Sequence, residues 1–228
     1  MKHEEKLDAR DRLLAAGLKF FSSKGFDGAT VRNICDEANS NIAAINYYFG
    51  DKQGFYSAVV EHAMEIRQKT MSRCWDLVES DPWKALALHV EIMLDEAYDE
   101  KMFQVSWLLF REILEQNDIS HDKSSTKHQD QQDENRRLQY VERMSHLLGG
   151  LLGPKAATPE NKTLLHYTYH SLCRFLPIKS EWEARVLRGK AQFSVKTTHD
   201  KETLKRHIID IVRHVVEDMQ RKAQAKDA

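Results

Sequence analysis

The chain has 228 residues, of which 41% are hydrophobic and 30% charged, a balance that suits a globular protein with a core and excludes a disordered or fibrous one. Its formal net charge is −1, and residues 1–69 carry ten Lys/Arg against ten Asp/Glu, so charge alone does not indicate a nucleic-acid partner. The three cysteines are far apart, and we find neither a signal peptide nor an apolar run of about 20 residues, so we expect a cytoplasmic protein without disulfides, zinc or membrane contact.

Helical periodicity dominates nearly everywhere in the chain, and the scarcity of glycine (9) and proline (4) argues against a loop-rich β fold. The first helix is expected from about Asp8 to Ser23, with Gly25 ending it as a C-cap glycine. Three more helices are expected over about Thr30–Ala38, Asn41–Phe49 and Asp51–Val78. Thr30 and Asn41 are of the residue types that cap helix N-termini, and Asn39 tolerates the left-handed conformation of a tight turn.

Longer helices are predicted in the rest of the chain, interrupted by one polar stretch. We expect helices over about 81–99, over 102–115 (strongly apolar), over 137–152, from Thr158 to just before Pro177, and over about 200–222. Residues 117–135 are almost without hydrophobic side chains and predict an exposed loop, whereas residues 178–198 give no clear pattern. The sequence therefore predicts an all-α protein.

Two short helices joined by a tight turn, with a third helix before them, are typical of a helix-turn-helix unit. The helix over 30–38 would cross the DNA backbone, and the helix over 41–49 would lie in the major groove. At 100° per residue, Ile42, Ile45 and Phe49 should face the core of this unit. The opposite face should carry Ala43, Ala44 and Tyr47, with Tyr48 on its flank. Alanines there would let the backbone approach the bases and leave methyl groups for thymine.

Lys52 lies in the first turn of the next helix, where a positive charge is mildly unfavourable because it meets the positive end of the helix dipole. A bound phosphate would reverse that effect. Gly54, also in that turn, weakens the helix by about 1 kcal/mol relative to alanine. A function that needs close approach explains both residues, although Lys52 could also be an ordinary solvated lysine.

The stretch GFDGATVRNICDEANSNIAAINYYFGDKQGFYSAVV resembles the DNA-binding domain of the tetracycline-repressor (TetR) family, over about residues 8–60. Its marks are Gly-Phe before the second helix, Thr30-Val31-Arg32, and the Tyr47-x-Phe49-x-x-Lys52 run. The chain departs from the family pattern at Asn39-Ser40, where Gly-Val is usual, and at Gly54, where a capping glutamate is common. The NxAAINYxF version resembles the subgroup that contains the CecR (YbiH) regulator.

The resemblance implies phosphate contacts from three residues and base contacts from five others. The phosphate set is Thr30, Tyr47 and Lys52, and the base-facing set is Arg32, Ala43, Ala44, Asn46 and Tyr48. Asn41, at the start of the recognition helix expected over 41–49, is grouped with these DNA-binding residues. The resemblance also implies a helix-turn-helix domain over residues 1–55 and a helical ligand-binding and dimerisation domain over 56–228. The double-stranded DNA operator, a second copy of the chain and an unknown small-molecule effector are the implied partners.

The C-terminal helices carry an aromatic and methionine-rich set that could line an effector pocket or form ordinary core. The set is Trp75, Met93, Phe103, Trp107, Phe110, Met144, Tyr167 and His170. Two apolar stripes could bury a face against a twofold mate or fold back on their own core. Their candidate dimer residues are Leu164, Thr168, Leu172, Phe175, Ile208, Ile211 and Val215.

The observations and the family resemblance together favour a ligand-responsive transcriptional regulator. The resemblance implies a dimeric repressor on a palindromic operator that a small-molecule inducer releases. No catalytic motif, cofactor motif or metal site stands out. His166 and His170 have the i, i+4 spacing of a metal pair, but no third ligand is evident. A helical enzyme or carrier, and a family member whose head no longer binds DNA, are the alternatives. Cys74 and Cys173 could sense oxidants or be plain buried thiols.

Overall fold

The computed structural model describes residues 8–115, 127–186 and 200–225, and every regular element in these ranges is a helix. The all-α expectation is therefore confirmed. The helices, numbered in chain order, are α1 Ala9–Gly28, α2 Val31–Glu37, α3 Ile42–Phe49, α4 Lys52–Trp75, α5 Pro82–Tyr98, α6 Glu100–Glu115, α7 Lys127–Ala156, α8 Pro159–Val186 and α9 Lys201–Ala225. None of them combines the length and apolarity that a membrane crossing requires.

The chain divides into two compact units that share α4 and α6. The first unit comprises the chain up to Gln68 and the stretch Gln104–Thr126. The second unit comprises Lys69–Phe103 and the chain from Lys127 onward. The first unit is thus larger than the expected DNA-binding domain over residues 1–55, because its core recruits α4 beyond that point and the second half of α6. The functional boundary at residue 55 stays a prediction.

The core of the first unit joins α1, α2, α3, α4 and α6. Phe21 and Phe55 at its centre are fully buried, with ring centroids 5.6 Å apart. Val105 and Leu108 of α6 are also fully buried in the same cluster. Burying a Phe or Leu side chain contributes about 1.5–3 kcal/mol, so this cluster fixes the short helices α2 and α3, which could not persist alone.

The second unit packs α5, α7, α8 and α9, together with the end of α4, around its own core. The four helices bury aliphatic stripes that include Leu86, Leu147, Leu165 and Val212. Two polar side chains lie inside: His89 is fully buried, and Glu96 is 3% exposed. Buried polar groups are nearly always kept in a core by hydrogen-bonding or ion-pair partners. In this part of the second unit, side chains can therefore hydrogen-bond or carry charge as well as pack.

Most helix ends lie where their capping residues predict. The side chains of Asp8, Thr30, Asn41 and Asp81 each accept a backbone N–H three residues on. Gly25 has φ +72°, so the first helix is broken there, and a single turn continues to Gly28. This positive φ is the reason a glycine stands at the position.

Two expectations for the C-terminal half are wrong in part. Residues 127–135 belong to α7 instead of a loop, and the Lys, Gln and Glu among them are residue types with high helix propensity; residues 117–126 lie outside the described residues. α8 passes through Pro177 instead of ending before it, so the helix forgoes one backbone hydrogen bond and continues to Val186. That continuation covers part of 178–198, and residues 187–198 lie outside the described residues.

Candidate nucleic-acid interface

The turn between α2 and α3 is held by backbone and side-chain hydrogen bonds. The Ser40 N–H donates to the Cys35 carbonyl oxygen at 2.9 Å, and Asn39 has φ +46°. Asparagine is the residue other than glycine that best tolerates this conformation, which explains how the turn forms without the usual glycine. Arg12 of α1 donates from Nε to the Ala38 carbonyl oxygen at 3.0 Å and ties the turn to α1.

The inner face of α3 carries fewer residues than its periodicity predicts. Ile45 is 1% exposed and Phe49 packs against the core, as expected. Ile42, also expected in the core, is 51% exposed, because the first residue of this short helix projects beyond the edge of the cluster. Ala44, expected on the outer face, is partly buried against the same cluster.

The outer face of α3 is accessible over its whole length. Tyr47 is 82% and Tyr48 42% exposed, and their rings lie edge to face with centroids 5.0 Å apart. Ala43 and Asn46 are exposed on the same helix. Thr30, Arg32 and Asn41 are exposed as well, although Thr30 Oγ1 and Asn41 Oδ1 accept the N–H groups of Asn33 (3.2 Å) and Ala44 (2.9 Å) as helix caps. The face thus presents hydroxyls, an amide and a methyl group.

Lys52 is the first residue of α4, and its side chain is partly buried. Its ammonium lies 4.5 Å from the ring centroid of Phe26, so a cation–π contact holds the side chain in place. The Asp51 carboxylate accepts the Gly54 N–H at 2.8 Å, which offsets the unfavourable charge of a lysine at a helix N-terminus. The lysine is therefore positioned before any phosphate binds.

Gly54 is explained by the fold of the chain itself. A Cβ at this position would lie 2.2 Å from the carbonyl oxygen of Phe49, the last residue of α3. The close approach that the sequence suggested is therefore between α4 and the end of α3, and it does not require a ligand. Arg12 and Phe26 were missed because their roles depend on contacts with other segments.

Six of the eight candidate pocket residues lie in the second unit, and four of these are near the buried side chains of His89 and Tyr169, which the sequence did not single out. The buried Tyr169 hydroxyl is 3.2 Å from His89 Nδ1 and 3.0 Å from Met144 Sδ. The rings of Trp75 and His89 are tilted against each other with centroids 5.7 Å apart, and the ring centroids of His170 and Tyr169 are 6.0 Å apart. Met93 is fully buried in the same core. Burial raises the pKa of Tyr169 well above its ordinary value, so this hydroxyl stays neutral.

The other candidate pocket residues are not part of this group. Tyr167 is 65% exposed, so it lies on the surface of α8. Phe103 is partly buried and ends the stretch Lys69–Phe103 of the second unit. Trp107 and Phe110 belong to the first unit, where their ring centroids are 5.9 Å apart.

The candidate dimer residues divide between two helices with different exposure. On α8, Leu164 and Phe175 are 57% and 61% exposed, Leu172 is 37% exposed, and Thr168 is partly buried. On α9, Ile208 is buried in the core of its own unit, and Ile211 and Val215 are partly buried. The α9 stripe therefore folds back on its own core at Ile208, whereas the α8 stripe is available to a partner.

Two cysteines and a histidine pair that the sequence singled out lie in the second unit. Cys74 and Cys173 are fully buried, and burial raises the pKa of each thiol to about 12, which keeps them from forming reactive thiolates. His166 and His170 lie with ring centroids 4.6 Å apart, but within the described ranges no group of three His, Cys, Asp or Glu side chains could hold a metal. Burial, and then the charge of Arg174, lowers the pKa of His166.

The fold and the α2–turn–α3 geometry define a helix-turn-helix unit in the N-terminal part of the chain. Residues 13–59 match the family model described as bacterial regulatory proteins, tetR family, so this segment is similar to the N-terminal domain of those regulators.

Curated regulators resemble the chain over part of its length. It is 27% identical over 123 residues to the "Probable HTH-type transcriptional regulator YttP" of Bacillus subtilis (strain 168), covering 53% of this chain and 58% of that protein. It is 43% identical over 53 residues to the HTH-type transcriptional repressor NicS of Pseudomonas putida, covering 23% of this chain and 25% of that protein. The chain thus spans about half the length, or less, of the curated relatives it matches.

Solved structures resemble nearly the whole chain. The crystal structure of AibR in complex with isovaleryl coenzyme A and operator DNA has a TM-score of 0.59 at 13% identity, covering 90% of this chain and 97% of that one. A protein from Pseudomonas aeruginosa PAO1 described as a transcriptional regulator has a TM-score of 0.61 at 16% identity, covering 97% and 96%. At these identities the likeness shows the fold alone, an N-terminal helix-turn-helix followed by a C-terminal helical domain.

Proposed function

We propose that this protein is a ligand-responsive transcriptional regulator, a repressor that binds a palindromic operator as a dimer and is released by a small-molecule inducer. The observation that carries the proposal is the exposed outer face of α3 within a helix-turn-helix that matches the tetR-family model over residues 13–59. Placement in the subgroup that contains CecR rests on the NxAAINYxF run alone and is part of the proposal.

On DNA, α3 would lie in the major groove while the ends of neighbouring helices contact phosphates. The exposed hydroxyls of Tyr47 and Thr30 and the positioned ammonium of Lys52 are the phosphate contacts. The base-facing residues are Arg32, Ala43, Asn46 and Tyr48, to which Ala44, now partly buried, can contribute less. Asn41 fixes the start of α3 through its cap.

Release by a ligand needs a connection between the two units, and the chain supplies two. α4 and α6 are continuous helices whose residues belong to both units, with α4 divided after Gln68 and α6 after Phe103. A ligand that binds one conformation of the second unit more tightly would increase the population of that conformation, and with it one position of the helix-turn-helix. The buried His89 and Tyr169 are the polar groups that could orient such a ligand. The AibR structure contains both a coenzyme A ester and operator DNA, which supports the combination of ligand and DNA binding.

The test is an unbiased selection of genomic or random DNA by the purified protein, repeated with a Lys52→Ala plus Tyr47→Ala variant. We expect the wild-type protein to enrich a palindromic site and the double variant to lose it. Lys19→Ala is the matched control, because the Lys19 ammonium is already paired with the Glu37 carboxylate at 2.6 Å. If the wild-type protein enriches nothing at low salt, with or without cell extract as a source of ligand, the proposal fails.

A further inference from the structure

Three large hydrophobic side chains are exposed among the described residues of the first unit, and all three lie on α3. They are Ile42, Tyr47 and Tyr48. The tyrosines have hydroxyl groups that can meet phosphate or water, but Ile42 is entirely apolar and 51% exposed. Exposed apolar surface gathered on one helix is typical of a binding face, where an apolar partner would bury the isoleucine.

The position of Ile42 determines which part of DNA it would meet. It is the first residue of α3, after the Asn41 cap. In a helix-turn-helix the N-terminal residues of the recognition helix contact base edges, so Ile42 would point at bases and not at the charged DNA backbone. In the major groove, the apolar group on a base edge is the C5-methyl of thymine.

Asn46 lies one turn after Ile42 on the same side of α3, and it is also exposed. An asparagine amide can bind adenine through N6 and N7. An apolar side chain beside an amide therefore suits a thymine next to an adenine.

We propose, on the basis of the function proposed above, that Ile42 reads a thymine in each operator half-site through its methyl group, beside an adenine read by Asn46. Ile42 is thus a specificity-determining residue in addition to those the sequence indicated. On the free protein this side chain lies outside the core cluster, and the methyl group of the base would complete its packing.

The test replaces each thymine of one selected half-site in turn by deoxyuridine, which removes the methyl group and leaves base pairing unchanged. We expect one replacement to weaken binding of the wild-type protein about fourfold, the effect of one buried methyl group. With Ile42→Ala the same replacement should have no effect, and this variant should bind the unmodified site about as weakly as the wild-type protein binds the modified one. Tyr47→Phe is the control: it should weaken all sites alike and keep the methyl dependence.

Ile42→Ala should fold normally because the side chain is outside the core cluster, and an unchanged thermal unfolding temperature would verify this. The inference is overturned if no thymine replacement affects the wild-type protein, or if Ile42→Ala remains equally sensitive. If the wild-type protein selects no site at all, the proposed function and this inference fail together. A selected site without methyl dependence would overturn the inference alone.

Discussion

Gly54, in the first turn of α4, is constrained by the backbone at the end of α3. A Cβ there would lie 2.2 Å from the Phe49 carbonyl oxygen, whereas a Cβ at Gly28 would meet only the Lys24 side chain, at 3.4 Å. We therefore expect Gly54→Ala to lower the free energy of unfolding by about 1–3 kcal/mol, as overpacking does. Gly28→Ala, the control, should leave it unchanged or raise it by up to about 1 kcal/mol. Urea denaturation followed by circular dichroism measures both; equal stabilities would show that the contact relaxes at no cost.

Lys52 is the residue whose role can be measured by salt dependence. Each phosphate contact changes the slope of log K against log salt by about 0.9, so Lys52→Ala should reduce the slope by that amount for each bound protomer. The affinity should fall to a similar extent for every DNA sequence, because a phosphate contact does not read bases. The control is again Lys19→Ala, whose charge is neutralised by Glu37. An unchanged slope with Lys52→Ala would mean that its ammonium serves only the Phe26 contact.

At the scale of helices, the sequence predicted well those ends that local chemistry fixes. The caps at Thr30 and Asn41 and the break at Gly25 depend on a few neighbouring residues, and the structure has them all. Contacts distant in sequence could not be predicted in the same way. The exposure of Ile42 depends on how far the core cluster extends, and the continuation of α8 through Pro177 contradicts the local preference of proline. Periodicity reports which face is apolar, but not whether another helix covers it.

The contact between α5 and α9 includes an ion-pair network that should make stability depend on pH. Lys205 Nζ lies 2.7 Å from Glu91 Oε2, and Lys201 Nζ lies 2.7 Å from Asp95 Oδ1. The hydrogen bond from Lys205 is the main reason that the pKa of Glu91 lies below its ordinary value of 4.5. A lowered pKa means that folding favours the carboxylate, so its contribution is complete above that ordinary value and is lost as pH falls through the lowered one.

Glu91→Gln should therefore destabilise the protein at pH 7 by no more than about 1 kcal/mol, since the pair is partly exposed. The difference from the wild-type protein should narrow as pH falls below 4.5. Urea denaturation at a series of pH values measures this, and the control is Glu217→Gln, at an exposed residue of α9. A difference that stays constant across this range would show that Glu91 acts through packing and not through its charge.

At the scale of the whole molecule, the proposed dimer depends on an apolar stripe of α8 that the second unit leaves uncovered. Phe175 on this stripe is 61% exposed, and Leu138 on α7 is 60% exposed, so the two form a matched pair. A charge placed in a dimer interface is buried without a partner on association, and it opposes assembly. We expect Phe175→Glu to be monomeric by light scattering at concentrations where the wild-type protein and Leu138→Glu are dimeric.

The same variant should bind the operator more weakly, because two DNA-binding domains joined in a dimer bind a palindrome more tightly than one domain alone. Loss of the dimer should reduce operator affinity by about 100-fold or more while leaving the fold of each head intact. Binding to a single half-site should change little between Phe175→Glu and the wild-type protein. If Leu138→Glu dissociates the dimer and Phe175→Glu does not, the interface lies on α7, and the α8 stripe must be explained otherwise. If both variants remain dimeric and bind the operator normally, neither face joins the two copies.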